Sequence, residues 1–139
     1  MPLDERYYMH FVNLFAENIK TIFNDTMINI SNEYNFSYRG FFRLTYKYLP
    51  HDYKIVIENE FTAYDIITYD AEGASSVLYR VEQFDNRLDA DNIRKSLILL
   101  KKILEQNNFN FYFCVNDKLY RKNAEGIKRI KDIREKLNG

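Results

Sequence analysis

The chain of 139 residues has one cysteine, no tryptophan, two prolines and four glycines. Because Cys114 has no partner within the chain, an intrachain disulfide scaffold is excluded. The few prolines and glycines form no linker, so we predict one globular domain over residues 1–139. No apolar run approaches the roughly 18 residues of a membrane span, and the first residues do not form a signal peptide. We therefore expect a soluble, cytoplasmic protein.

Net charge is also absent, because 20 Lys and Arg residues balance 20 Asp and Glu residues. The two signs are nevertheless segregated along the chain. Residues 58–91 hold nine carboxylates and two arginines, a net charge of −7, whereas residues 118–136 hold eight basic and three acidic side chains, a net charge of +5. The aromatic content of 17% excludes a disordered chain.

Two long segments have apolar residues at the spacing of an amphipathic helix, residues 4–24 and residues 89–106. Asp85 or Asp89 can cap the second of these helices. A third helix is predicted over residues 123–137, with Asn123 as its cap. Residues 25–38 fit either a continuation of the first helix or a strand.

Apolar and polar residues alternate with a period of two in the strands predicted over residues 41–48, 53–60 and 75–82. A further strand is predicted over residues 61–69, which are apolar on both faces, as in an interior strand. Short turns join these strands, as in an antiparallel meander. In the last of them we expect Val77, Tyr79 and Val81 to face inward. Two further strands, 109–115 and 119–122, flank the turn Asn116-Asp117 and form a hairpin. The predicted fold is α+β: an antiparallel β-sheet (a four-strand meander plus a C-terminal β-hairpin) packed by helices, in the order α-β-β-β-β-α-β-β-α.

The chain carries no phosphate-binding glycine loop, dinucleotide fingerprint, zinc-protease motif or nucleophile elbow. His10, His51 and Cys114 lack the spacing of metal ligands, and we expect Cys114 to be a buried, inert thiol. We predict no catalytic residue, no metal site and no cofactor. A carboxylate-dependent hydrolase remains open, because Glu58 and Glu60 share one face of a strand.

The acidic segment predicts a surface for a protein partner with a basic surface, formed by Asp70, Glu72, Asp85, Asp89 and Asp91. Capping and the helix dipole also explain the last three residues, because they precede or open a helix. Asp70 and Glu72 lie in a turn, where that explanation does not apply.

The basic segment offers a possible nucleic-acid contact through Lys128, Arg129 and Lys131. A sequence pI near 6.7 is low for a nucleic-acid-binding domain, so we rank nucleic acid below protein as a partner. No membrane contact is predicted, and a homo-oligomer remains open.

Seven of the tyrosines are too many to be buried easily, since each hydroxyl needs a partner: Tyr34, Tyr38, Tyr46, Tyr48, Tyr64, Tyr69 and Tyr112. Partly exposed tyrosine is typical of protein contact surfaces. We predict a small non-enzymatic protein-binding module, an inhibitor that masks a partner's basic or nucleic-acid-binding surface. The A/T-biased residue usage favours a mobile element. A bacterial toxin-immunity protein is the first hypothesis, a phage inhibitor of a nucleic-acid-targeting defence system (such as an anti-CRISPR protein) the second, and a small nucleic-acid-binding protein the third.

Overall fold

The fold is built on one antiparallel sheet, seen in a computed structural model that describes residues 3–131. In this part of the chain, eight strands follow one another in sequence order, so each pairs with its neighbours in the chain. They are β1 (Met27–Asn35), β2 (Phe41–Tyr48), β3 (Tyr53–Glu60), β4 (Ala63–Tyr69), β5 (Ser75–Val77), β6 (Phe111–Val115), β7 (Lys118–Asn123) and β8 (Gly126–Arg129). The α+β class and the antiparallel sheet agree with the prediction, but the strand count and order differ in detail.

Within residues 3–131, three helices accompany the sheet: α1 (Leu3–Phe23), the single turn α2 (Leu78–Val81) and α3 (Ala90–Gln106). The long helices α1 and α3 pack against each other and cover one side of the sheet. From α1, the Phe15 ring meets the ring of Tyr64 on β4 at a centroid distance of 5.1 Å. From α3, the Ser96 hydroxyl lies 2.8 Å from the Tyr64 hydroxyl. The core therefore lies between the two helices and the central strands.

Strand β2 defines the two sides of the sheet. Phe42, Leu44, Tyr46 and Tyr48 are buried, and they alternate with partly exposed residues. We call the buried side, which faces α1 and α3, the helix side, and the other the open side. Because side chains alternate along a strand, the register of the other strands assigns each of their residues to one side.

The region predicted as helix or strand, residues 25–38, contains β1, an edge strand with one buried residue, Met27. The predicted helix 123–137 is wrong where the structure describes it, because Gly126–Arg129 is strand β8. Asn123 does not cap a helix: its side chain accepts the N–H of Glu125 in the turn that joins β7 to β8. Gly126, the first residue of β8 after this turn, has φ 119°, a conformation that glycine adopts readily. Residues 132–137 of the predicted helix lie outside the described residues.

The strand predicted over residues 75–82 ends at Val77 and continues as α2. The prediction that Val77, Tyr79 and Val81 face inward is also wrong. Ser76 pairs with Thr68, which lies on the helix side, so Ser76 and Leu78 are buried and Val81 is exposed. Within residues 3–131, no helix has the length and apolar character needed to cross a membrane.

Candidate protein-contact surface

Two turns meet at one end of the sheet: residues 36–40, which join β1 to β2, and the Phe61-Thr62 turn, which joins β3 to β4. The Phe61 N–H donates a hydrogen bond to the carbonyl of Arg39. The fully buried Asn59 connects the turns a second time. Its side-chain amide donates to the carbonyls of Gly40, at 3.1 Å, and Phe61, at 3.0 Å. One buried side chain thus fixes the backbone of both turns.

The backbone at these turns is strained. Arg39 has φ 56° and Phe61 has φ 62°, in the left-handed region. For an L-residue other than glycine this conformation costs about 1–2 kcal/mol. The side chain of Phe61 does not offset this cost by burial, because the residue is 59% exposed. A bulky residue that is both strained and exposed indicates a function rather than a contribution to stability.

The side chain of Arg39 lies between two exposed rings. Its guanidinium carbon is 5.2 Å from the ring centroid of Tyr38 and 5.4 Å from that of Phe61. Arg39 also forms an ion pair with Glu60. We call Tyr38, Arg39 and Phe61 the aromatic–arginine cluster. Tyrosine and arginine are enriched among the residues that dominate binding energy at protein interfaces, and here the arginine is held in place by its neighbours within the chain.

Helix α1 packs against the turn that carries Tyr38 and Arg39 of the cluster. The ring of Tyr8 stacks on that of Phe36 at 5.8 Å and passes directly over Gly40. A Cβ atom at Gly40 would lie 2.1 Å from Cζ of Tyr8. Gly40 also has φ 63°, so both the close approach and the backbone conformation require glycine here.

The loop that precedes α3 lies beside the same turns. The N–H of Leu88 donates to the carbonyl of Thr62 at 2.7 Å, and the N–H of Tyr64 donates to the carbonyl of Asn86 at 3.0 Å. These bonds bring two of the predicted acidic residues, Asp85 and Asp89, close to the aromatic–arginine cluster.

The carboxylates of Asp85, Asp89 and Asp91 each have partners within the chain. Hydrogen bonds from the side chain and backbone of Arg87 lower the pKa of Asp85 to about 2. Asp89 caps α3. Lys95 and Arg94 lower the pKa of Asp91. Because these ion pairs are exposed, they stabilise the fold little, and a partner's cations can compete for the carboxylates.

Asp70 and Glu72 lie at the other end of β4, about 20 Å away for a strand of seven residues. Nζ of Lys122 on β7 lies 2.6 Å from Asp70 and 3.5 Å from Glu72. Burial tends to raise the pKa of Asp70, but hydrogen bonds from Lys122 and from the N–H groups of Ala74 and Glu72 lower it overall. The five predicted carboxylates therefore form two groups rather than one face.

The three predicted nucleic-acid contacts do not share one side of the molecule. Lys128 and Arg129 are consecutive residues of β8, so they point to opposite sides of the sheet. Arg129 pairs with Tyr120 on the helix side and Lys128 with Arg121 on the open side. Lys131 follows the strand and is exposed.

The other chemically reactive residues lie apart. His10 contacts the Phe11 ring, and His51 lies between Tyr48 and Tyr53. Cys114 is exposed, so the expected buried thiol is wrong; the register pairs it with Leu119 on the open side, which α1 and α3 do not cover. Within residues 3–131 no group of three His, Cys, Asp or Glu side chains could hold a metal ion.

Glu58 and Glu60 have separate roles. Glu58 lies opposite Asp65 on β4 and accepts a hydrogen bond from Arg43 at 2.8 Å. Burial, and then the charge of Glu58, raise the pKa of Asp65. Glu60 pairs with Arg39 in the turn. The two glutamates of the hydrolase hypothesis are thus each engaged in a different ion pair.

The sequence-based prediction that some tyrosines are exposed for protein contact included one residue of the cluster, Tyr38, which is 56% exposed. Arg39 was not identified, and Phe61 was assigned to a strand. A positive φ at a residue other than glycine leaves no clear mark in the sequence, although the Arg39-Gly40 step is compatible with a turn.

Comparison with known proteins found no match to this chain among protein-family models, curated proteins or solved structures.

Proposed function

We propose that the protein is a small non-enzymatic binding module that contacts another protein through the aromatic–arginine cluster. The observation that carries the proposal is Phe61, which is exposed and has a strained backbone conformation. Such strain persists only where the surrounding structure enforces it, and here Asn59 and Gly40 do so. Exposed aromatic rings around a pre-positioned arginine are suited to burial in a partner's pocket.

The partner we propose is a protein with a basic surface. Asp85 and Asp89 line one cleft with Thr62, the neighbour of Phe61 in the turn, and Asp91 follows in the first turn of α3. In this proposal the three carboxylates supply a polar rim, which steers a cationic partner and raises its association rate. A toxin nuclease, masked by an immunity protein, has such a surface. So does a nucleic-acid-targeting defence nuclease, masked by a phage inhibitor. In either case the protein acts in the cytoplasm by covering the surface where phosphates bind.

The variant Phe61→Gly tests this proposal. Glycine adopts φ 62° without strain, so we expect the melting temperature to stay the same or rise. Partner binding should fall at least tenfold, as expected for the loss of an aromatic anchor. The measurement is quantitative capture of partners by the tagged protein from nuclease-treated host lysate, followed by titration of the captured protein.

Ile98→Ala is the matched control, because Ile98 is an exposed apolar residue on α3, away from the two turns. It should capture the same protein as the unaltered chain. Capture of that partner by Phe61→Gly at unaltered strength would refute the role of the cluster. A parallel capture from untreated lysate that recovers only nucleic acid, or proteins that nuclease treatment releases, would refute the protein-binding function.

A further inference from the structure

A single cross-strand row on the open side runs through seven strands. Its members lie directly opposite one another in the register from β2 to β8: Lys47, Lys54, Tyr69, Ser75, Tyr112, Arg121 and Lys128. We call them the basic row. Four of the seven residues are cationic, two are tyrosines and none is acidic. With about 4.8 Å between neighbouring strands, the row is about 29 Å long.

The neighbouring rows of the open side differ in character. The next row consists of Thr45, Val56, Ile67 and Val77. The row beyond it contains Glu33, Arg43, Glu58 and Asp65, three of which are acidic. A mostly apolar row thus separates the cations of the basic row from these acidic residues, although the chain as a whole has no net charge.

Contacts within the chain involve several members of the basic row. Lys47 forms an ion pair with the exposed Asp52, a type of contact that stabilises little. The ammonium of Lys54 lies over the Tyr69 ring, 5.0 Å from its centroid. Near the other end, Arg121 and Arg80 both act on Tyr112, lowering its pKa against the larger effect of burial, which raises it.

We propose that the basic row binds single-stranded nucleic acid, with phosphates on the cations and bases stacked on Tyr69 and Tyr112. Charge complementarity favours a polyanion. The tyrosines favour unpaired bases, because aromatic residues on an open sheet face stack bases that a duplex does not present. A base on Tyr69 replaces the ammonium of Lys54, whose flexible stem then reaches a phosphate.

The test is fluorescence anisotropy with labelled single-stranded oligo-dT and oligo-U of roughly 20 nucleotides. The double variant Lys54→Glu, Lys128→Glu should weaken binding at least tenfold and reduce the dependence on salt between about 50 and 200 mM. The matched control is Lys118→Glu, Arg129→Glu, two exposed cations on the helix side of β7 and β8. It carries the same change of charge and should bind nearly as the unaltered chain does.

Tyr112→Leu separates stacking from charge. It should weaken binding about tenfold without changing the salt dependence, because base stacking is not ionic. Thermal melting of every variant checks that it is folded. Phe61→Gly should bind the oligonucleotides normally, so the proposal stands or falls independently of the protein partner.

Four results would overturn the proposal, three of them with single strands and the fourth with a duplex. The first is no single-strand binding at low salt, and the second is an equal loss of binding in the control pair. The third is binding that polyglutamate competes for equally well and that Tyr112→Leu leaves intact, which would assign the row to an acidic protein. A duplex bound as tightly as a single strand would exclude the stacking role of the tyrosines and overturn the single-strand assignment.

Discussion

Asp89 has two potential roles, one in the fold and one in binding. Its side chain accepts the N–H groups of Asp91, at 2.9 Å, and Asn92, at 3.2 Å, at the start of α3. These are donors that the helix itself cannot satisfy. The same carboxylate lies in the polar rim proposed to attract a basic partner, so a simple charge reversal at Asp89 would disturb both roles together.

A pair of substitutions separates the two roles of Asp89. Asp89→Ala should lower the free energy of unfolding by about 1 kcal/mol, whereas Asp89→Ser should leave it nearly unchanged, because a serine hydroxyl also caps a helix. Both variants remove the charge, and both should slow association with a basic partner. Urea unfolding and stopped-flow binding measure the two effects. An equal loss of stability in both variants would contradict the capping role, and unaltered association would exclude the charge from binding.

At the scale of elements, the two turns of the contact surface depend on Asn59. The variant Asn59→Leu has a similar size but leaves the carbonyls of Gly40 and Phe61 without their donor. We expect a loss of about 3 kcal/mol in the free energy of unfolding, since each unsatisfied buried group costs about 1–3 kcal/mol. Amide hydrogen exchange at Phe61 should also accelerate, because the hydrogen bond from its N–H to the carbonyl of Arg39 weakens when the turns are no longer held.

Asn32→Ala on β1 is the control for this experiment, because its side chain is exposed, and it should change stability by less than about 0.5 kcal/mol. If Asn59→Leu destabilised the protein without accelerating exchange at Phe61, Asn59 would contribute to the core but would not position the turns.

How well each element could be predicted follows from how much of it is buried. In β2, burial alternates residue by residue, and the helix α3 buries a continuous apolar stripe, so periodicity predicted both. The edge strands differ: β1 has one buried residue, and all four residues of β8 are exposed. A strand without a buried face has no alternation to detect, and Ile127 of β8 and the following Ile130 are three residues apart, a spacing that also fits a helix.

The sheet has two halves, strands β1–β5 and strands β6–β8, which are connected by little backbone pairing. Among residues 3–131, β5 and β6 are joined through one register pair, Ser75 with Tyr112. A side-chain contact supplements it: Asp70, in the turn after β4, binds Lys122 on β7. Sequence segregation of charge predicted an acidic and a basic region, but it could not show that these two residues meet, because the contact depends on tertiary pairing across 52 positions of the chain.

This ion pair makes stability depend on pH at the scale of the whole molecule. The pKa of Asp70 is lowered in the folded protein, so its contribution is fully present above the unfolded-state value of about 3.9 and is lost as the pH falls through the folded-state value. Asp70→Asn removes the ion pair but retains an acceptor for the N–H groups of Glu72 and Ala74. We expect it to lower the free energy of unfolding by about 1–2 kcal/mol at neutral pH.

The difference between Asp70→Asn and the unaltered chain should shrink as the pH falls below about 4, because protonated Asp70 no longer attracts Lys122. Chemical denaturation at a series of pH values measures it. Asp52→Asn, at the exposed ion pair with Lys47, serves as the control and should change stability by less than about 0.5 kcal/mol. A difference that stayed constant down to strongly acidic pH would show that the two halves of the sheet are joined by the backbone pair and the turn alone, without a contribution from the charge of Asp70.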